Sequence, residues 1–489
     1  MKRRPSGPAG PPRFEFPDGE LESAVWLGDV TDRFVRVWVR RPAGPVEAGL
    51  TVGGEERASL TLEPDAAHDH VAAGVLALED PRSGQEFEVT VGDERRGGRF
   101  APSPGSRAAF SFAFGSCHQP FTESADGGRV EKQPAAGIYP HLERLAAERR
   151  AAFGLWLGDQ VYSDAVSEMS VRERMAEDRS VTDDSLLETY RHLYRGYFNE
   201  SGYRALNDAL PAYLMWDDHD IFDGWGSLLD RTPFDERLYQ AAEGAYREYQ
   251  HLRNPTGSLD AEAPYGYSFW YGDVGFHVPD LRGERDFRSE RVLGDAGWAR
   301  LDAFLREASE REVPTIFIGL SVPLVHASPA LTTALERLPT GSGRDVRDRW
   351  SVPAFAGQRS MLLERLFGWQ SGGSHRQVIV LSGDVHVGAA FRVRERGGPG
   401  RFRQWTSSAL STPTGLKHVL ANRLVTTFVR LGERELHVRR LGLAPSNNVG
   451  LVEVEPAEGG GHTIRLSVHQ YDAGRDRLAA TMSDLARPA

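Results

Sequence analysis

The chain has 489 residues, 40% of them hydrophobic, a globular composition and a length at which two domains are expected. Fifty-eight basic and 69 acidic residues leave a formal charge of −11, which excludes a general attraction for nucleic acid or an anionic membrane. The single cysteine, Cys117, excludes an intrachain disulfide, and no stretch approaches the roughly 20 apolar residues of a membrane helix.

Residues 1–20 are rich in Pro and Gly and read as a flexible arm. Its basic start lacks a following apolar segment, so no secretory signal is read and a cytoplasmic location is expected. Residues 21–102 read as a β-sandwich domain. Val35, Val37 and Val39 alternate with Arg36, Trp38 and Arg40, and Phe87, Val89 and Val91 alternate with Glu86, Glu88 and Thr90. Paired acids, histidine clusters and phosphate-cradling glycines are missing from this stretch, so it reads as a structural or docking module.

After a connector, APSPGSR, the α/β catalytic domain is expected over residues 108–475, with a helical insertion at 169–210 and a tail at 476–489. An apolar strand ending in Gly-Ser-Cys117, a helix over 139–150 and the run FGLWLGDQVYS at 153–163 make a βαβ unit with parallel strands. The insertion carries Leu186, Leu187, Tyr190, Leu193 and Tyr194 at helical spacing. The run YLMWDDHD follows at 213–220, then a helix over 232–252 and a hairpin about Gly272-Asp273. A helix over 295–308, a strand over 313–320, an irregular stretch over 329–353 and a short helix over 360–367 come next. The last acid-bearing run, VIVLSGDVH, spans 378–386, and a strand at 402–408 follows it. Alternation returns after Leu436, in strands expected to complete a second sheet.

Three apolar runs ending in Asp or Asp/His point to a polynuclear metal site. Asp159 is the strongest candidate, because one carboxylate can bridge two ions about 3.5–4 Å apart. Tyr162 is a ligand candidate or an amphipathic rim residue. Ionising a phenol with a pKa near 10 requires a strong Lewis acid such as Fe³⁺. Buried carboxylates such as Asp217, Asp218 and Asp220 are costly unless paired or metal-bound. Adjacent side chains of an extended segment point opposite ways, so these and His219 do not all enter one shell. Asp384 and His386, two residues apart, share one side. Cys117 is a ligand or a small buried hydrophobe. His118 points away from it, toward a supporting or surface position. His326, Trp216, Trp225, Trp350, Ser407, Ser408 and Asp223 remain open between lining the cleft and ordinary packing or turn roles.

The motifs GSC, LGDxVY, WDDHD, the Asp-Leu-Arg segment and LSGDVH, in order from Gly115 to His386, resemble the PhoD-like (alkaline phosphatase D) family of metallophosphoesterases. LGDVTDRFVRVWVR, from Leu27 to Arg40, resembles the start of that family's N-terminal β domain. The resemblance implies an α/β metallophosphoesterase domain of two packed β-sheets flanked by helices. It implies Cys117, Asp159, Tyr162 and His386 as ligands of an iron. Asp159, Asp218 and Asp384 would hold a second ion, Ca²⁺ in the family, with Mg²⁺ or Mn²⁺ also suited to carboxylates. His219 would protonate the leaving oxygen, and Arg282 and Arg285 would contact the phosphoryl oxygens of a small phosphorylated substrate. Three carboxylates, a thiolate and a phenolate carry five negative charges, matching Fe³⁺ plus one divalent ion.

The expected reaction is in-line attack on phosphorus by a metal-held hydroxide, on mono- or diesters. The sequence departs from the exported family pattern in lacking an export signal and in following Asp220 with FDGWGS rather than an asparagine-rich segment. Two alternatives stand beside this reading. One is a polynucleotide or cyclic-nucleotide phosphodiesterase on the same fold, which the acidic charge disfavours. The other is a non-catalytic binding module with a vestigial metal site.

Overall fold

The computed structural model describes residues 14–123, 130–164, 171–176, 180–336, 346–429 and 436–487. The valine-rich alternation near the N-terminus builds two antiparallel sheets. One has the order β1 (Ala24–Val30), β2 (Phe34–Arg40), β5 (Val71–Ala77). The other runs β4 (Glu55–Leu62), β3 (Val46–Val52), β6 (Glu86–Val91), β7 (Glu94–Arg99). Val35, Val37, Val39, Leu50 and Val89 fill the core between them. The opposite face of β2 is not left to solvent. Trp38 stacks on Trp26 at 4.9 Å and donates from Nε1 to the Glu248 carbonyl at 2.7 Å, so this face docks on the following domain.

Asp69 anchors that docking. Arg40 and Arg195 each place a guanidinium nitrogen 2.9 Å from its carboxylate, and the Tyr249 hydroxyl donates to it as well. Burial opposes the charge, but Arg40, Arg195 and Tyr249 outweigh it and hold the Asp69 carboxyl below its ordinary range. A group with a depressed folded pKa stabilises above its unfolded value and loses that contribution as pH falls. Asp69→Asn should therefore cost about 3 kcal/mol at neutral pH, near the lower end for breaking a buried pair. The gap from wild type should narrow below about pH 4, where carboxylates protonate. Denaturant unfolding at pH 7 and pH 3 checks both statements.

The second domain packs two sheets face to face. The six-stranded one has the order β12 (Ala212–Met215), β11 (Ala151–Leu157), β8 (Phe110–Gly115), β20 (Asn448–Pro456), β21 (His462–Asp472), β22 (Arg477–Ala486). The seven-stranded one has the order β13 (Tyr267–Tyr271), β14 (Val274–Val278), β15 (Thr315–Leu320), β16 (Gln377–Ser382), β18 (Arg401–Thr406), β17 (Gly388–Glu395), β19 (Leu436–Ala444). A two-stranded ribbon, β9 (Phe121–Glu123) with β10 (Val130–Lys132), completes the strands described. Phe112 and Phe153 of one sheet meet Phe276 and Phe317 of the other, with Phe112 edge-on to Phe317 at 5.3 Å. β8, β11 and β12 are mutually parallel, as are β14, β15, β16 and β18. The C-terminal ends of both parallel sets meet at one edge of this core, where ligands collect in open α/β sheets.

Helices Asp183–Phe198 and Pro233–Tyr249 pack together beside that edge. Each starts at a threonine capping box, Thr182 and Thr232, and buries a stripe such as Leu186, Tyr190 and Leu193.

Several expectations are corrected. The late strands complete both sheets rather than the second alone: β19 joins one and β20 to β22 join the other, where β20 covers the free edge of β8. The tail forms β22. Within 329–353, residues Pro329–Glu336 are helical, and residues 337–345 lie outside those described. The helix read over 360–367 runs Ala356–Ser371. The end of the arm is fixed, since Phe16 is buried against Phe121 and Tyr197, whereas residues 1–13 lie outside those described.

Candidate metal centre

Three of the parallel strands that enter the centre, β8, β11 and β16, end in a backbone reversal. Cys117, Asp159, Asp384 and His386 all have positive φ, between 54° and 70°, which non-glycine residues rarely adopt. Strain gathered at four candidate ligands is characteristic of a functional site. Two glycines let the strand ends approach. A Cβ on Gly158 would lie 2.6 Å from Asp217 Cβ, and one on Gly383 would lie 2.5 Å from the Leu157 carbonyl oxygen.

Asp159 stands at the middle. Its Oδ2 accepts from Cys117 Sγ at 3.2 Å and from the Tyr162 hydroxyl at 3.1 Å. Its Oδ1 is buried without a hydrogen-bond partner. Tyr162 also lies 3.3 Å from His386 Nε2 and 3.2 Å from Thr412 Oγ1. Donor atoms of Cys117, Asp159 and His386 lie within 4.8 Å of one another, and so do those of Asp159, Asp218 and His219. Two adjacent ligand groups sharing one carboxylate form a binuclear centre.

The electrostatics of the residues demand cations. Burial, then the neighbouring Cys117, Asp217 and Asp218, push the Asp159 carboxyl well above its ordinary range, against a smaller opposing effect of His219. Burial and the same neighbours, Asp159 and Cys117, push the Tyr162 phenol up as well. Such a set ionises together only beside bound positive charge. The orphaned Asp159 oxygen, the thiol, the phenol, the Asp218 carboxylate and the His386 imidazole are a donor set that fits a metal pair.

His219 stacks on Tyr162 at 4.3 Å, and its Nδ1 is 2.8 Å from Asp164 Oδ1. Burial disfavours its charged form, but Asp164, Asp159 and Asp218 outweigh that and raise its pKa well above the imidazole norm. The structure thus brings His219, read in the sequence as an acid toward the leaving group, into the second ligand group.

Arg282 and Arg285, which the resemblance sets against the phosphoryl oxygens, are both fully buried and lie against carboxylates. Arg282 is ion-paired to Asp217, lies 3.2 Å from Asp218, and donates to both Asp348 oxygens at 2.6 and 2.7 Å. Arg285 donates to the Asp348 carbonyl at 2.7 Å and lies over the Phe355 ring at 4.4 Å. Three buried carboxylates and two guanidiniums pair there, so Arg282 fixes Asp218 from behind. Asp384 joins neither ligand group, and its carboxylate is ion-paired to Arg349.

Three residues brace the centre: Asp220 and Ser408, whose roles the sequence reading left open, and Asp164, which it missed. Asp220 accepts from the Gln160 and Val161 amides and from Gln250 Nε2, so it braces the loop carrying Asp159 and Tyr162. Ser408 lies 3.0 Å from Cys117 Sγ and accepts from the His386 amide. Asp164 closes the LGDQVYSD run two residues past Tyr162, where an acid at a strand end was the available signal. His118 is buried between Tyr139 and the Tyr197 carbonyl, and burial pushes its pKa down to about 3, so it is a neutral support. His326 pairs with Asn422 at 2.7 Å, and Trp216, Trp225 and Trp350 are buried packing. Ser407 donates to Asn448, and the Asp223 amide donates to Asp164. No described helix is long and apolar enough to cross a membrane.

An uncharacterized protein of Saccharomyces cerevisiae is 22% identical over 317 residues, which are 49% of this chain and 45% of that relative. The chain thus matches about half the length of that curated protein. Among solved structures, that of PhoD aligns with a TM-score of 0.68 at 17% identity, over 95% of this chain and 90% of the other. A purple acid phosphatase from yellow lupin (Lupinus luteus) seeds aligns with a TM-score of 0.59 at 10% identity, over 96% and 74%. At these identities the two show the shared fold. The sequence profile of the PhoD-like phosphatases matches residues 112–426, more than half of the protein. The chain belongs to the PhoD-like phosphatase family.

Proposed function

We propose that the centre hydrolyses small phosphoric mono- or diesters with Fe³⁺ and a divalent cation. The observation that carries this reading is the sharing of Asp159 between the Cys117/His386 group and the Asp218/His219 group. Cys117, Asp159, Tyr162 and His386 would hold the iron, since thiolate, phenolate and imidazole suit it better than they suit Ca²⁺. Asp159 and Asp218 would hold the divalent ion, with Asp384 completing its shell once Arg349 releases it. Bound there, the pair supplies Lewis acidity that lowers the pKa of water and offsets charge on the phosphoryl oxygens.

The chain's own residues handle the proton and the orientation. Asp164 fixes His219 through Nδ1, leaving its other ring nitrogen to act on substrate. Water oxygen bonds to phosphorus in line as the ester P–O bond breaks, and His219 gives its proton to the departing alcohol oxygen. Arg282 keeps Asp218 in place throughout, its fork geometry matched to three carboxylates. The formal charge of −11 favours a small substrate over a polynucleotide.

Protein purified without chelator should contain about two metal ions per chain, one of them iron, with visible phenolate-to-metal absorption. It should cleave a chromogenic mono- or diester and spare single-stranded DNA, and chelation should abolish turnover. Full turnover after exhaustive metal removal would overturn the reading.

A further inference from the structure

A second anion-handling feature lies away from the metal centre. The β17–β18 register sets Arg392 opposite Arg403 and Arg394 opposite Arg401, and the β17–β19 register sets Arg439 opposite Arg392. Residues two apart on a strand share a face, so these guanidiniums crowd one side of the sheet. Like charges directly opposite one another destabilise a sheet. The counter-charge that the described residues supply is Asp484 of β22, 2.7 Å from Arg403 Nε and 3.5 Å from Arg392 Nη2. Arg394 and Arg401 are exposed and make no ion pair among the described residues. Arg392 Nε is buried without a hydrogen-bond partner.

Arg392, Arg394, Arg401, Arg403 and Arg487 line a cavity of about 200 Å³ that no described acidic residue lines. The cavity opens at the first residues of β16 and β18, Gln377 and Arg401, whereas the metal centre lies beyond their last, Ser382 and Thr406. A strand of that length separates the two by roughly 20 Å.

We propose that this cavity binds a small condensed phosphate of the diphosphate class. Guanidinium forks take anionic oxygens in pairs; a diphosphate offers several such edges, a carboxylate one and a chloride none. Five guanidiniums facing one carboxylate require a multiply charged anion. The volume is below the roughly 300 Å³ where larger ligand pockets begin, which suits a small anion.

The test is calorimetric titration of the holoenzyme with imidodiphosphate, a non-hydrolysable diphosphate, at fixed ionic strength. Arg394→Gln with Arg401→Gln should weaken binding by about a hundredfold, from the loss of two charge-assisted contacts. Phosphoester turnover should stay unchanged in that variant, and Asp218→Asn should bind imidodiphosphate as wild type does. Arg401→Glu gives Arg394 an opposite charge, so it should raise the thermal midpoint without anion and abolish binding. Unaltered binding in both arginine variants, or binding lost only in Asp218→Asn, would overturn the proposal and assign the anion elsewhere.

Discussion

Asparagine in place of Asp159 should lower kcat/KM for phosphoester hydrolysis by at least about 10²–10³-fold, the loss seen when one preorganised electrostatic group is removed. The loss should come with depleted metal, because both ligand groups share this carboxylate. The same substitution should not weaken the metal-free fold. Burial and the adjoining Cys117, Asp217 and Asp218 raise the Asp159 pKa, so its ionised form costs stability above the unfolded pKa of about 4. Metal-free Asp159→Asn should therefore be the more stable protein at pH 7, and the difference should vanish near pH 3. A residue that lowers stability until a cation arrives is present for function. Retention of both metals and of wild-type turnover would refute the bridging assignment.

Arg282→Met should be among the most damaging changes to the fold. It leaves Asp217, Asp218 and Asp348 together in a buried pocket, with Arg285 beside Asp348 the remaining guanidinium. Breaking a buried charge network costs about 3–5 kcal/mol, and denaturant unfolding of the metal-free protein should show it. Arg282→Lys should recover little, because a point charge cannot reproduce a fork donating to several oxygens. An arginine serving only to hold substrate would instead raise KM and leave the unfolding midpoint alone. The two roles are separable in one pair of measurements.

The centre was legible where local chemistry and position coincide. An apolar run that stops at Gly158-Asp159 or Gly383-Asp384 announces a strand end and a costly acid together, and both positions are strand-end reversals in the structure. The hairpin about Gly272-Asp273 and the helix from Asp295 follow from period and turn chemistry alone. What stayed hidden was set by distant partners. Nothing near Arg282 in sequence reveals Asp348, 66 residues away, to which it donates. Asp384 has the ligand spacing, yet Arg349 neutralises it from a stretch with no periodic signal. Asp220 read as one more titratable residue, although its partners are two backbone amides some 60 positions earlier. The division of the late strands between two sheets depends on which edge is open, a property of topology rather than of alternation.

β8 carries Cys117 at its end and lies between β11 and β20, so one of the first strands of the domain is bordered by one of the last. The ribosome must deliver the chain through Pro456 before that gap is filled. Until then β8 presents an unpaired edge, a template for misassembly during synthesis. A cation offered to a nascent chain therefore meets scattered side chains with no coordination sphere among them.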